Sequence, residues 1–452
     1  MAKDMTKGKP LPMVIQFALP MMAGAAFQQL YSVVDMIVVG NAIGSRALAA
    51  IGATASITFM ATSLVMGLTN GASVIASRFF GADEKDNLRK AFGASLYISL
   101  MAAILLAAVG WFGVGFLLRL LNTPEEIIAD AELYAKICIG GGFGMMLYNC
   151  VTSLLRAVGD SRTPLIFLVI SSVLNILLDV VFVLVLRLGI GAVAIATVIA
   201  QCFSAAACMI HMMKRYGFFR LTKADFRVPV KTIGMILAIG LPMCLQSLLL
   251  SIGDMTIASV VNSAGTDVVA AFATGSRIMY FVMMFCMQLA MAFSVFAGQN
   301  IGAKDIERIR RGFRDTVCVM LGMSLVMGVV ILLSGDFLIR TFISSQDAHL
   351  EAIIPLAKSM LRVYAPSFVL LGAIWLYNYT LRGMGDVLVP FLSSMVELVM
   401  KVSLSIVLFR AFGHIGIWFA NPIGWALGLI PSVVRFHTGG WRKLAKQTAQ
   451  WQ

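Results

Sequence analysis

The sequence predicts an all-α polytopic membrane protein whose twelve transmembrane helices form two six-helix parallel-repeat lobes around a central cleft. Three observations predict this: the composition, the recurrence of long apolar segments, and motifs that return in the same order in the second half. Of the 452 residues, 60% are hydrophobic and only 13% are charged, where a soluble domain carries roughly 25% charged residues. The mean hydropathy is +0.90. Apolar stretches recur from end to end, each long enough to cross about 30 Å of hydrocarbon.

The spans fall at about 13–39, 47–77, 91–118, 134–156, 164–186, 190–213, 232–261, 268–297, 313–334, 353–381, 387–409 and 414–436. The flank MAKDMTKGKP leads straight into a full-length apolar helix, which is unlike a cleavable signal peptide. The net charge of +13 is distributed as a topology signal. Lys and Arg number 22 across the N-terminus, the connections after even-numbered spans and the C-terminal tail, with Arg156, Arg314 and Arg435 at the adjoining span ends, against 5 in the alternate connections. Such a positive-inside bias predicts a multi-pass protein with both termini cytoplasmic. The basic residues follow the membrane rather than a nucleic acid, so no nucleic-acid partner is expected. The seven cysteines form no CxxC pair, and neither a disulfide framework nor a zinc site is expected.

The halves repeat each other. ALP at 18–20 returns as GLP at 240–242, and GADEKDNLRKAF at 81–92 returns as GAKDIERIRRGF at 302–313. LRAVGD at 155–160 returns as LRGMGD at 381–386, followed by Pro164 and Pro390 respectively. Six spans per half is an even number, so both halves enter the membrane in the same sense, as parallel repeats do. The basic connection KRYGFFRLTKADFRVPVK at 214–231 separates them, giving lobes 1–222 and 223–452. Two such lobes flanking a cleft suit alternating access.

Charged groups inside these spans need a reason. An Asp at the centre of a membrane helix costs about 2.5–3.5 kcal/mol on insertion scales, yet span 1 carries Asp35 and span 5 carries Asp179. Tyr31 precedes Asp35 by four residues, and Asn175 precedes Asp179 by four, so each pair shares a helical face. Thr197 of span 6 lies at a depth matching Asp179, counted across the RLG turn. Oxygen-rich groups of this kind suit a proton or a hard cation such as Na⁺. No cofactor is expected beyond the coupling ion, H⁺ or Na⁺. No metal is expected beyond a Na⁺ at Asp35, Asn175 and Asp179. The competing reading is that each carboxylate only satisfies a neighbouring polar group.

Span 11 carries Glu397 and Lys401, an i,i+4 pair that reads as mutual neutralisation or as a substrate-facing acid moderated by a lysine. Asp254 is the acidic residue of span 7. Pro20 removes a backbone hydrogen bond and offers span 1 a bending point. The Met- and Phe-rich run 279–293 reads as packing, although thioethers and aromatic faces also suit lipophilic cations. Two enzyme-like motifs fail: GMGD at 383–386 lacks the second aspartate motif of an intramembrane protease, and GGGFG at 140–144 lacks the Lys-Ser/Thr of a phosphate loop. Close helix packing or flexing explains the glycines instead. The chain is not expected to be an enzyme.

Twelve spans in two parallel halves, LP near the start of spans 1 and 7, VVD in span 1, and LRAVGDSRTP followed by NILLD together resemble the multidrug and toxic compound extrusion (MATE) transporters. The resemblance implies a secondary active exporter of the bacterial or archaeal cell membrane. Inward protons or sodium ions would be exchanged for outgoing small organic cations or lipophilic drugs. It places the cation site of the polar-cavity prokaryotic branch at Asp35, Asn175 and Asp179, accompanied by Tyr31, Thr197 and Asn149. Another branch holds an acidic pair in spans 7 and 10, but nothing acidic lies between Ile353 and Leu381 here. Membrane lipids are the expected surroundings and a monomer the expected unit. The alternative is a lipid-linked saccharide flippase of the same superfamily, which commonly has extra spans and a cationic cavity.

Overall fold

The computed structural model describes residues 3–220, 230–342 and 350–441. In the first half, α1 (Pro10–Ala42), α2 (Ser45–Gly81) and α3 (Lys85–Leu120) precede the short α4 (Glu125–Gly140) and α5 (Gly142–Ala157). They are followed by α6 (Arg162–Asp179), a π-helical turn (Val180–Val185) and α7 (Ile190–Arg215). The second half holds α8 (Val230–Asn262), α9 (Thr266–Gly302), α10 (Ile306–Phe342), α11 (Leu350–Gly383), α12 (Leu388–Phe412) and α13 (His414–Thr438). Eleven of the described helical segments are long and apolar enough to cross a membrane, and the bent α4–α5 pair makes a twelfth span. The fold is the all-helical, twelve-span one that the sequence predicts. At 1.5 Å per residue, the 37 residues of α2 reach about 55 Å, so its ends stand clear of the hydrocarbon.

Span 4 is broken at Gly141, where α4 and α5 meet at 44°. A Cβ on Gly141 would lie 2.3 Å from a methyl of Val198, and one on Gly144 would lie 2.6 Å from Cys202 Sγ. The glycines let α5 lie directly against α7. α1 stays helical through Pro20, and α8 through Pro242.

The described chain forms two compact units. One contains the segment up to Met5 and Leu19–Cys244; the other contains Thr6–Ala18 and the chain from Leu245 onward. The division therefore falls inside α1 and α8, next to their Leu-Pro pairs. The expected junction between residues 222 and 223 lies outside the described residues.

Each unit repeats the other's turns. Gly44 and Gly265 take φ of 107° and 103°, while Asp83 and Lys304 take 58° and 60°. The LRAVGD and LRGMGD turns use Gly159 and Gly385 at 81° and 82°. A side chain at Gly159 would also strike the Lys3 carbonyl at 2.2 Å.

The aspartates closing these two motifs tie the span that follows to the last helix of each half. Asp160 accepts from the backbone N–H groups of Arg162 and Thr163, from the Thr163 hydroxyl at 2.7 Å and from the Tyr216 hydroxyl at 2.7 Å. Asp386 accepts from the Val389 N–H and, at 2.6 Å, from Arg435 Nε. Burial alone would raise the Asp160 carboxyl, but hydrogen bonds from Tyr216 and Thr163 outweigh it and hold the group below the usual carboxylate range. A depressed folded-state value contributes stability above the unfolded value of about 3.9 and loses it as pH falls through the folded value. Tyr216→Phe is expected to cost roughly 1.5–3 kcal/mol at neutral pH. Thermal midpoints in detergent should show that deficit shrinking toward acid pH, where Asp160 is protonated in both proteins.

Candidate functional site

The cluster is assembled within the first unit by two i,i+4 pairs on helices far apart in sequence. α1 presents Tyr31 and Asp35, and α6 presents Asn175 and Asp179. Asn175 and Asp179 are buried, at 2% and 1% exposure, and Asp35 is half-buried. The Tyr31 hydroxyl donates to Asn175 Oδ1, while the carboxyl groups of Asp35 and Asp179 are within hydrogen-bonding reach of each other.

Both Asp179 oxygens, Asp35 Oδ1 and Asn175 Nδ2 are buried without a hydrogen-bond partner. Two ionised carboxylates only accept hydrogen bonds, so they satisfy one another only with a proton on one of them or a cation between them. Buried polar groups left unsatisfied are costly. The donor set therefore fits a proton or a monovalent hard cation held by carboxylate and amide oxygen. No cluster of three or more His, Cys, Asp or Glu side chains suited to a metal occurs among the described residues.

The backbone changes character at the site. Asp179 is the last residue of α6, and the π-helical turn begins at the next residue. Such turns are rare and concentrate at functional sites, because the extra residue re-aims the side chains beside it. Nothing in VVFVLV marks it in the sequence.

α4 adds a third wall that sequence reasoning missed. Tyr134 and Cys138, four residues apart, bond to each other through their side chains, and both lie within electrostatic reach of Asp35. Tyr31 is near Cys138 as well as near both aspartates. The spacing in YAKIC was the available signal, but it pointed nowhere until the rotation of α4 was known. Two expected companions spend their donors elsewhere. The Thr197 hydroxyl donates to its own helix at Val193 O (3.0 Å), and Asn149 Nδ2 donates to Met145 O (2.8 Å) on α5, past the Gly141 break.

In the second unit Lys401 has an interhelical partner besides its i,i+4 neighbour Glu397. Lys401 Nζ lies 2.8 Å from Asp254 Oδ1 on α8, and Glu397 is near enough to feel both charges. The lysine reaches Asp254 because α8 packs beside its stem: a Cβ on Gly253 would lie 2.8 Å from Lys401 Cε. Deeper in the same unit, buried Arg382 donates to Gln246, Gln246 donates to Ser394, and the guanidinium stands 4.8 Å from the centre of the Tyr379 ring.

Comparison with known proteins sets this geometry in a family. The family model described as MatE matches residues 20–181 and 242–407. A probable multidrug resistance protein of Bacillus subtilis, YpnP, is 29% identical, with 98% of each chain covered. The probable multidrug resistance protein NorM of Thermotoga maritima is 23% identical over 97% of this chain and 94% of its own. Among solved structures, an outward-facing multidrug resistance MATE family transporter of the MOP superfamily superposes with a TM-score of 0.89, at 25% identity and 99% coverage of both chains. A MOP superfamily transporter from Pyrococcus furiosus, described as having a binding pocket of reverse polarity, also matches at 0.89, with 25% identity and 98% coverage of both chains.

Proposed function

The chain belongs to the MatE family, and on that footing we propose that it is an ion-coupled exporter of organic cations and lipophilic drugs whose coupling site is the Asp35–Asp179 pair. It is a secondary transporter of the MATE/MOP superfamily and not an enzyme. The observation that carries the proposal is the pair of facing carboxyl groups in the first unit, with buried oxygens that no protein donor satisfies. Asn175 supplies an amide oxygen, and Tyr31 fixes the orientation of that amide by donating to it.

A proton or sodium ion entering from outside removes one negative charge from the pair, and its departure restores the more negative site that favours the conformation accepting a cationic substrate. Coupling of this kind requires ion and drug to prefer different states. One charge moving through 100 mV is worth about 2.3 kcal/mol, or roughly a 50-fold gradient at 1.4 kcal/mol per decade. Exchange of one proton for one monovalent cation is electroneutral and draws on the pH gradient alone. The acidic character of the cluster, with twelve spans, favours drug export over flipping of a lipid-linked saccharide.

Proteoliposomes with a pH gradient and a sodium gradient imposed separately test the proposal. One of the two should drive uptake of a fluorescent organic cation, and the cation should in turn drive flux of that ion. Failure of both gradients would reject ion coupling.

The orientation that makes this export places both termini in the cytoplasm. Single cysteines at the exposed positions Ser45 and Asp86 check it in a cysteine-free background. Ser45→Cys should react with an impermeant thiol reagent added outside, and Asp86→Cys only after permeabilisation. The reverse pattern would turn the exporter into an importer.

A further inference from the structure

The LRAVGD and LRGMGD motifs, with Pro164 and Pro390 four residues beyond their aspartates, set a constant offset of 226 between α6 and α12. In that register Lys401 stands where Asn175 stands, and Ser405 stands where Asp179 does. All four are buried. The Leu-Pro pairs at 19–20 and 241–242 align α8 with α1 at an offset of 222, which puts Asp254 within one helical turn of the counterpart of Asp35. In the first unit Asp35 is within reach of Asp179, one turn beyond Asn175, and Tyr31 of the same span bonds Asn175 itself; in the second unit Asp254 pairs directly with the residue at the Asn175 position. In the first unit that position carries an amide; in the second it carries an ammonium.

The second unit is built around that ammonium. Lys401 Nζ donates to Asp254 Oδ1 at 2.8 Å, with only 5% of the lysine side chain exposed. Glu397, one turn earlier on α12, lies within electrostatic reach of both. The lysine stem is flanked by two glycines: a Cβ on Gly253 would stand 2.8 Å from Cε, and one on Gly424 would stand 3.1 Å from Cβ. A cation carried on the chain competes with free ions at a high effective concentration, because its binding is intramolecular.

We infer that Lys401 is a tethered cation, filling in the second half the position that the first half offers to the coupling ion. The transporter consequently takes up that ion in one half only, and Lys401 determines where. The comparison rests on the reading of Asp35 and Asp179 given above, while the test reads the second half by itself.

The test is equilibrium binding of radioactive sodium to the purified full-length protein at alkaline pH. Lys401→Met leaves Asp254 and Glu397 without their lysine and is expected to bind one more Na⁺ per chain than the wild type. The double variant Asp254→Asn/Lys401→Met should lose that extra ion. Asp35→Asn/Lys401→Met should keep it, even if the first-half site fails to behave as proposed. A folded Lys401→Met with no additional ion, or a gain that disappears with Asp35→Asn, would overturn the inference. Should Lys401→Met not fold, Asp254→Asn decides, since the Asp254 carboxylate is 73% exposed and Glu397 remains beside Lys401 to balance its charge. It should leave the Na⁺ count unaltered, and loss of a bound ion would mean that Asp254 holds a free cation and Lys401 does not.

Discussion

Asp35→Asn is expected to remove ion-driven export while leaving a folded, membrane-inserted protein. Asparagine keeps the size and one acceptor of the carboxyl group, and it mimics the protonated form without the ability to cycle. The helix loses no packing, because Asp35 is only half-buried. The effect of the ion on substrate affinity should fall by roughly 5–150-fold, the range that corresponds to a coupling free energy of 1–3 kcal/mol, and export should drop to the rate seen without an ion gradient. Asp179→Asn should act in the same direction, since the two carboxyl groups face each other. Initial rates of dye efflux from everted vesicles, normalised to transporter content, give the comparison. Wild-type rates in Asp35→Asn would reduce that residue to a tolerated polar group.

The largest structural effect is expected at Gly71. Gly67 and Gly71 of α2 are four residues apart, the small-xxx-small spacing that lets membrane helices approach closely. Within the first unit, a Cβ on Gly71 would lie 2.8 Å from the Cα of Gly240, from its N and from Ile236 O. A Cβ on Gly67 would lie 2.4 Å from Cys244 Sγ. The atoms facing Gly71 are backbone, so no rotamer change relieves the clash and α8 must move away. Gly71→Val should therefore cost roughly 3 kcal/mol or more, the upper end of overpacking. It should appear as a lowered thermal midpoint and loss of monodisperse protein in detergent. Gly71→Ala should fall between it and the wild type. An unchanged midpoint for Gly71→Val would mean that α2 and α8 are not in backbone contact.

The spans were legible because each helix writes its own period and hydropathy. Expected ends such as 232–261 and 414–436 fall within a few residues of Val230–Asn262 and His414–Thr438. The i,i+4 partners within α1 and α6 were legible for the same reason. What crosses between helices was not. Tyr134 and Cys138 join the site only because α4 turns that face toward Asp35, and rotation is set by packing that no local pattern records. Lys401 reaches Asp254 because Gly253 leaves room on α8 for the lysine stem, a contact that the i,i+4 spacing of Glu397 and Lys401 does not record. The bend at Gly141 was half visible as a run of glycines. The π-turn after Asp179 was invisible, since VVFVLV would make an ordinary apolar helix equally well.

The central claim is that ion and substrate compete through the Asp35–Asp179 pair, and linkage makes that competition measurable at equilibrium. Binding of tetraphenylphosphonium to the purified protein should be titrated across pH at fixed sodium, and across sodium at fixed pH. In the wild type its Kd should rise as the coupling ion becomes abundant, and by reciprocity binding should release that ion. In Asp35→Asn the dependence should flatten, with substrate still bound. A wild-type Kd indifferent to both ions, or an ion dependence equally steep in Asp35→Asn, would contradict the account.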